Sequence, residues 1–131
     1  MEWNKLVPEL VVKSYSDAKA FYTTVFGFDL RFEREKDGFG YFDLEGAQIM
    51  LLQGDKQFEC HNGSHIHFQI EIDSVEDLIA QIKAHNIALE KDPYEAWYQV
   101  DQVKHGHYEF FVRDVDGYLY RFYEDLGEVP A

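Results

Sequence analysis

The sequence has one cysteine, three prolines and only 12 basic residues against 25 acidic ones, and no long apolar run. Each scarcity excludes something. One cysteine forbids an intrachain disulfide, and Cys60, beside Glu59 and His61, lacks the electropositive setting of a reactive thiolate. It reads as an incidental thiol in a reducing cytoplasm. No stretch approaches the roughly 18 apolar residues a membrane-spanning helix needs, and Met1 to Val12 lack an export pattern. The expectation is a soluble, unexported chain with no membrane partner. At a net charge of −13, nucleic acid and anionic surfaces are repelled at long range, so cationic or neutral partners are favoured. Phosphate-cradling Gly-rich loops and the Gly-x-Ser-x-Gly elbow are also missing. Aromatic residues are plentiful instead: 11 Phe, 9 Tyr and 2 Trp, or 17% of 131 residues.

The length suits one domain spanning residues 1–131. Leu6 to Lys13 alternates as a strand, and Ala18, Phe21, Tyr22 and Val25 carry the spacing of an amphipathic helix that Ser14 or Ser16 caps and Gly27 ends. Strands follow over Phe28 to Glu35, Phe39 to Leu44 and Ala47 to Gln53, with turns at Lys36-Asp37-Gly38 and Glu45-Gly46. This first module covers about 4–54, and the polar stretch 55–63 reads as a linker.

The order then repeats over about 64–125. His65 to Ile72 alternates strictly, with Ile66, Phe68, Ile70 and Ile72 on one side. A helix starting at Ser74 places Val75, Leu78, Ile79 and Ile82 on one face and ends near Asn86. A short strand at Ile87 to Glu90, an aromatic loop from Pro93 to Val103, and strands His107 to Val112 and Tyr118 to Tyr123 complete it. The acidic residues of 124–131 read as a solvated tail. The fold class is therefore α+β: paired βαβββ modules with a curved mixed sheet around a shared cup, the natural place for a ligand.

The segments LVPELVVKSYSDAKAFYTTVFGF (residues 6–28) and HYEFFVRDVDGYLYRF (residues 107–122) resemble the vicinal oxygen chelate superfamily, and within it the bleomycin resistance and glyoxalase-like branch. Val115 stands where that branch's turn has proline. The resemblance implies a homodimer and, in the superfamily's metal enzymes, one ligand on each of four strands. Those places fall here on Val7, Met50, His67 and Arg121. Valine has no donor, a thioether is soft and guanidinium is a cation, so only His67 suits a metal and the family site reads as erased. A displaced site on His65, His67, His107 and Glu109, serving a lyase or dioxygenase, is the alternative.

Without a metal, the cup reads as a binding surface. Strand alternation lines it with Val7, Glu9, Val11, Met50, Leu52, His67, Gln69, Leu119, Arg121 and Tyr123. Arg121 needs a partner, and spacing does not choose among Glu9, Glu109 and a ligand anion; Phe39, Tyr41, Trp97 and Tyr98 border the cup as stacking faces. The expectation is a cofactor-free, non-catalytic protein that sequesters a small aromatic or cationic molecule of the bleomycin type, with a ligand-sensing module as a further alternative.

Overall fold

The computed structural model describes residues 2–55 and 66–131; Cys60, His61 and His65, and most of the expected linker, lie outside them. In chain order the elements are β1 (Glu9–Val12), α1 (Tyr15–Ala20) running into a π-helical turn (Phe21–Val25), β2 (Asp29–Arg34), a 3-10 turn (Glu35–Asp37), β3 (Phe39–Leu44) and β4 (Ala47–Gln53). The second series is β5 (His67–Glu71), α2 (Val75–Ala84), β6 (Lys91–Val100), β7 (Val103–Arg113) and β8 (Leu119–Pro130). Two four-stranded sheets form, ordered β1-β4-β3-β2 and β5-β8-β7-β6. The order is the same in both, so the repeat expected from the sequence is present in the strand pairing. By contacts the chain divides into a first unit ending at Gly63 plus the Asp114–Gly117 turn, and a second of Ser64–Arg113 and Tyr118–Ala131.

In the first unit Ser14 caps α1, its hydroxyl accepting from the Asp17 amide at 3.3 Å. The helix then widens where the hydroxyls of Thr23 and Thr24 donate back to the Lys19 and Ala20 carbonyls, at 2.8 and 2.6 Å. Val12, Ala18, Tyr22, Phe42 and Leu51 are fully buried on the helix side of the sheet. Tyr22 satisfies its hydroxyl by donating to Asp114 Oδ2 at 2.5 Å. Gly40 is required by space: a Cβ there would lie 2.2 Å from the Tyr15 hydroxyl.

In the second unit Ser74 caps α2 in the same way, accepting from the Asp77 amide at 3.2 Å, while Glu124 Oε1 accepts from the Val75 amide at 2.8 Å. The helix buries Val75, Leu78, Ile79 and Ile82 and packs on β7 and β8, whose inner face carries Phe110, Val112, Tyr120 and Phe122.

Three expectations need correction here. Ile87 to Glu90 forms no strand. The segment Pro93 to Val103, expected as a loop, is most of β6 and its turn into β7. Its turn carries no glycine because Asp101 itself takes a positive φ of 55°, and Pro93 sits inside the register shift between Lys91 and Tyr94. The acidic residues after Tyr123 are the second half of β8, paired with β7 from Tyr108↔Glu124 to Val103↔Pro130. Pairing satisfies their backbone, so this stretch is no tail.

Candidate functional site

In each sheet one face carries the helix; in the first unit Trp3 and Phe32 pack over Tyr41 on the other face, whereas in the second unit that face bears a pocket. In the second unit, register determines which side chains share that face. Glu109 of β7 lies opposite Tyr123 of β8 and Tyr94 of β6, His107 lies opposite Asp125 and Ala96, and Tyr98 lies opposite His105. On the outer side of β8, Gln69 and Glu71 of β5 register with Arg121 and Tyr123.

Glu109 organises this face. Its side chain is 0% exposed, a setting in which a charged carboxylate must find several partners. The Tyr94 hydroxyl donates to Oε2 in a very short bond, and the Tyr98 hydroxyl donates to Oε1 and Oε2 at 3.0 and 3.1 Å. Arg121 Nη1 stands 3.8 Å from Oε2, and His107 Nδ1 stands 3.4 Å from Oε1. The His107 contact is within ion-pair reach but is misaligned for a hydrogen bond, and Nδ1 has no other partner among the described residues. Burial and the Glu109 carboxylate both push the phenols of Tyr94 and Tyr98 up, because an anion beside an anion in a dry setting is disfavoured.

Above this floor lies a pocket of about 300 Å³ lined by Gln69, Tyr98, Val100, His105, His107 and Arg121. Arg121 is held from two sides, by Glu109 and by the Gln69 side-chain oxygen that accepts from Nη2. The His107 ring stacks on Tyr123 with centroids 3.9 Å apart at 18°, and meets the Tyr98 ring edge-on at 5.2 Å. Tyr123 in turn donates to Glu71 at 3.3 Å. The result is a rigid aromatic and hydrogen-bonding surface with its polar groups fixed in advance.

Of the expected site residues, Gln69, Tyr98, Glu109, Arg121 and Tyr123 come together here. His67 begins β5, exposed, with its ring 6.2 Å from Phe111. Trp97 points to the opposite side of β6 from Tyr98; its indole donates to Glu95 at 3.1 Å and covers Gly106, where a Cβ would meet it at 2.5 Å. In the first unit, Phe39 and Tyr41 are 5% and 6% exposed. Tyr41 donates to Gln48 at 2.7 Å and packs against Phe32 and Trp3, so these two rings are packing groups rather than open stacking faces. Val7 precedes β1, half-buried, while Glu9 is exposed and in register with Met50.

The metal reading gains no donors. Val7, Met50 and Arg121 offer nothing that suits a divalent cation, so the residues do not fit the superfamily's metal. The displaced alternative does not assemble either. His67 registers with Leu119 and His107 with Asp125, six residues apart on β8, or about 20 Å of strand. No group of three or more His, Cys, Asp or Glu positioned for a metal occurs among the described residues. Sequence reasoning missed Tyr94, Val100 and His105. Had the turn been placed at Asp101-Gln102, counting outward from Val100↔Val103 would have set Tyr94 opposite Glu109.

The sequence matches the family model described as Glyoxalase/Bleomycin resistance protein/Dioxygenase superfamily over residues 6–122. A search of curated proteins returns no match. Among solved structures, TioX from Micromonospora sp. ML1 is similar at 19% identity and a TM-score of 0.71, with 94% of this chain and 100% of that chain covered. An integron cassette protein from the mobile metagenome of V. cholerae is similar at 19% identity and 0.68, over 95% and 97%. The genomically encoded fosfomycin resistance protein FosX of Listeria monocytogenes is similar at 19% identity and 0.67, over 94% and 92%. At such identities the likeness is one of fold.

Proposed function

This chain belongs to the Glyoxalase/Bleomycin resistance protein/Dioxygenase superfamily, and from that premise we propose that it binds and withholds a small molecule with an aromatic part, without transforming it. The observation that carries this reading is the state of Glu109. A carboxylate that serves as a base or a metal ligand needs a free lone pair directed at the reacting group. Here Oε2 accepts from Tyr94, both oxygens accept from Tyr98, and the side chain is 0% exposed beside Arg121, so the carboxylate fixes the pocket's floor and presents no lone pair to a ligand. The pocket above it offers ring faces and donors, which is what retention of a planar molecule requires.

Bleomycin is the ligand that the resemblance implies, and the acidic exterior favours the approach of a cationic drug. The protein works as a cytoplasmic homodimer in this reading. Trp97 and Val129, exposed on the face of β6 and β8 away from the pocket, supply apolar surface for pairing. Titration with bleomycin followed by tryptophan fluorescence is expected to saturate at micromolar drug, to survive chelator treatment, and to return the drug unaltered by mass spectrometry. A flat titration removes bleomycin as the ligand, and a chemically changed drug removes the non-catalytic reading. Light scattering is expected to give twice the chain mass.

A further inference from the structure

The charges and proton positions around the second-unit pocket specify its occupant more narrowly, on the premise that the pocket binds a small molecule. The lining contains one permanent cation, Arg121, and the buried carboxylate of Glu109 lies 3.8 Å from it. The two cancel. An anionic ligand gains no net attraction and approaches a chain of net charge −13; a cationic group in the pocket meets the Arg121 guanidinium, while the carboxylate that would attract it is 0% exposed. A neutral molecule meets neither cost. His105, the other basic ring of the lining, faces Glu128 at 3.5 Å and adds no unbalanced charge.

Hydrogen-bond polarity follows from His107. Its Nδ1 is buried facing a carboxylate oxygen at 3.4 Å, and a lone pair held against that oxygen would be repelled, so the neutral ring carries its proton on Nδ1. The side chain is 15% exposed and lines the pocket, so the edge that remains open is the one bearing Nε2, whose lone pair accepts. Arg121, 30% exposed, can only donate. Both heads reach the same Glu109 carboxylate, so one aromatic ring with two adjacent substituents can address both. Tyr98 contributes its ring face, since its hydroxyl is committed to Glu109.

We propose that the pocket selects an uncharged planar aromatic molecule bearing a hydroxyl or N–H donor beside a carbonyl, with the donor on His107 Nε2, the carbonyl on Arg121 and the ring on Tyr98. Amide-detected NMR titrations of the full chain with four probes test this: salicylamide, which carries both groups uncharged; benzamide, which lacks the hydroxyl; salicylate, an anion; and tyramine, a cation. Salicylamide is expected to bind about tenfold more tightly than benzamide, the cost of leaving one buried acceptor unpaired, and more tightly than either ion. His107→Phe keeps a ring on Tyr123 but removes Nε2, and is expected to bind salicylamide and benzamide equally. His107→Gln supplies the same comparison should the phenylalanine variant not fold. Tighter binding of salicylate or tyramine overturns the proposal, as does discrimination that survives both variants. Silence from all four probes while bleomycin saturates overturns this inference alone; silence from bleomycin as well overturns the binding reading beneath it.

Discussion

Glu109 shows how a single side chain can set the character of a whole face. Replacing it by Gln keeps the shape but exchanges an ionic acceptor for an amide, which leaves Arg121 without its counter-charge and turns an NH₂ toward Tyr94 or Tyr98. The expected loss is about 1.5–3 kcal/mol of unfolding free energy in urea titration, and an unchanged midpoint would show that the cluster contributes nothing net. The same cluster predicts alkaline behaviour. Burial and then Glu109 hold the Tyr94 phenol above its ordinary value. The unfolded chain therefore loses that proton first, so the stabilisation is fully present below pH about 10 and declines as pH rises beyond it. Tyr94→Phe is expected to flatten the fall in stability between neutral and strongly alkaline pH, and a curve as steep as wild type contradicts the assignment.

At the scale of elements, the helices were legible and one hairpin was not. Ser74 with Asp77, and the stripe Val75, Leu78, Ile79 and Ile82, are local signals, and the structure uses them as read. Ser74→Ala is expected to cost about 1 kcal/mol in thermal or chemical unfolding. The strand β6 was hidden because its hydrophobic alternation is broken by Pro93 and charged residues, and because Asp101 makes its turn without glycine. Much of the site was hidden with it, since the two tyrosines that hold Glu109 both lie on that strand. Phe39 and Tyr41 misled for the opposite reason: alternation marks which face a ring occupies, but not whether Phe32 and Trp3 already cover it. Gly106, by contrast, exists for its neighbour. Gly106→Ala places a methyl against the far edge of the Trp97 indole, which is expected to swing outward and shift its fluorescence to longer wavelength. An unchanged spectrum would mean that the strand moves instead.

For the whole molecule, the excess of 13 negative charges acts on approach and on self-repulsion more than on the pocket, where Arg121 and Glu109 cancel. Added salt is therefore expected to raise the unfolding temperature and to weaken binding of a cationic drug steeply, while leaving affinity for an uncharged ligand nearly constant. Equal salt slopes for the two ligand types would place unbalanced charge inside the site. The repeated strand order also ends unequally. β5 reaches only as far as Tyr123 along β8, yet β6, β7 and β8 continue beyond it as a three-stranded ribbon to Val100, Val103 and Pro130. That ribbon is the portion of the second unit that should open first, exchanging its amide hydrogens through partial unfolding while Phe110, Tyr120 and Phe122 wait for the global event. Val100 and His105 belong to the ribbon, whereas Gln69 and Arg121 lie where β5 still flanks the sheet. An occupant of the pocket therefore bridges two zones of different lifetime, and its arrival should register as slowed exchange in the ribbon, tens of ångströms of backbone reporting on one small molecule.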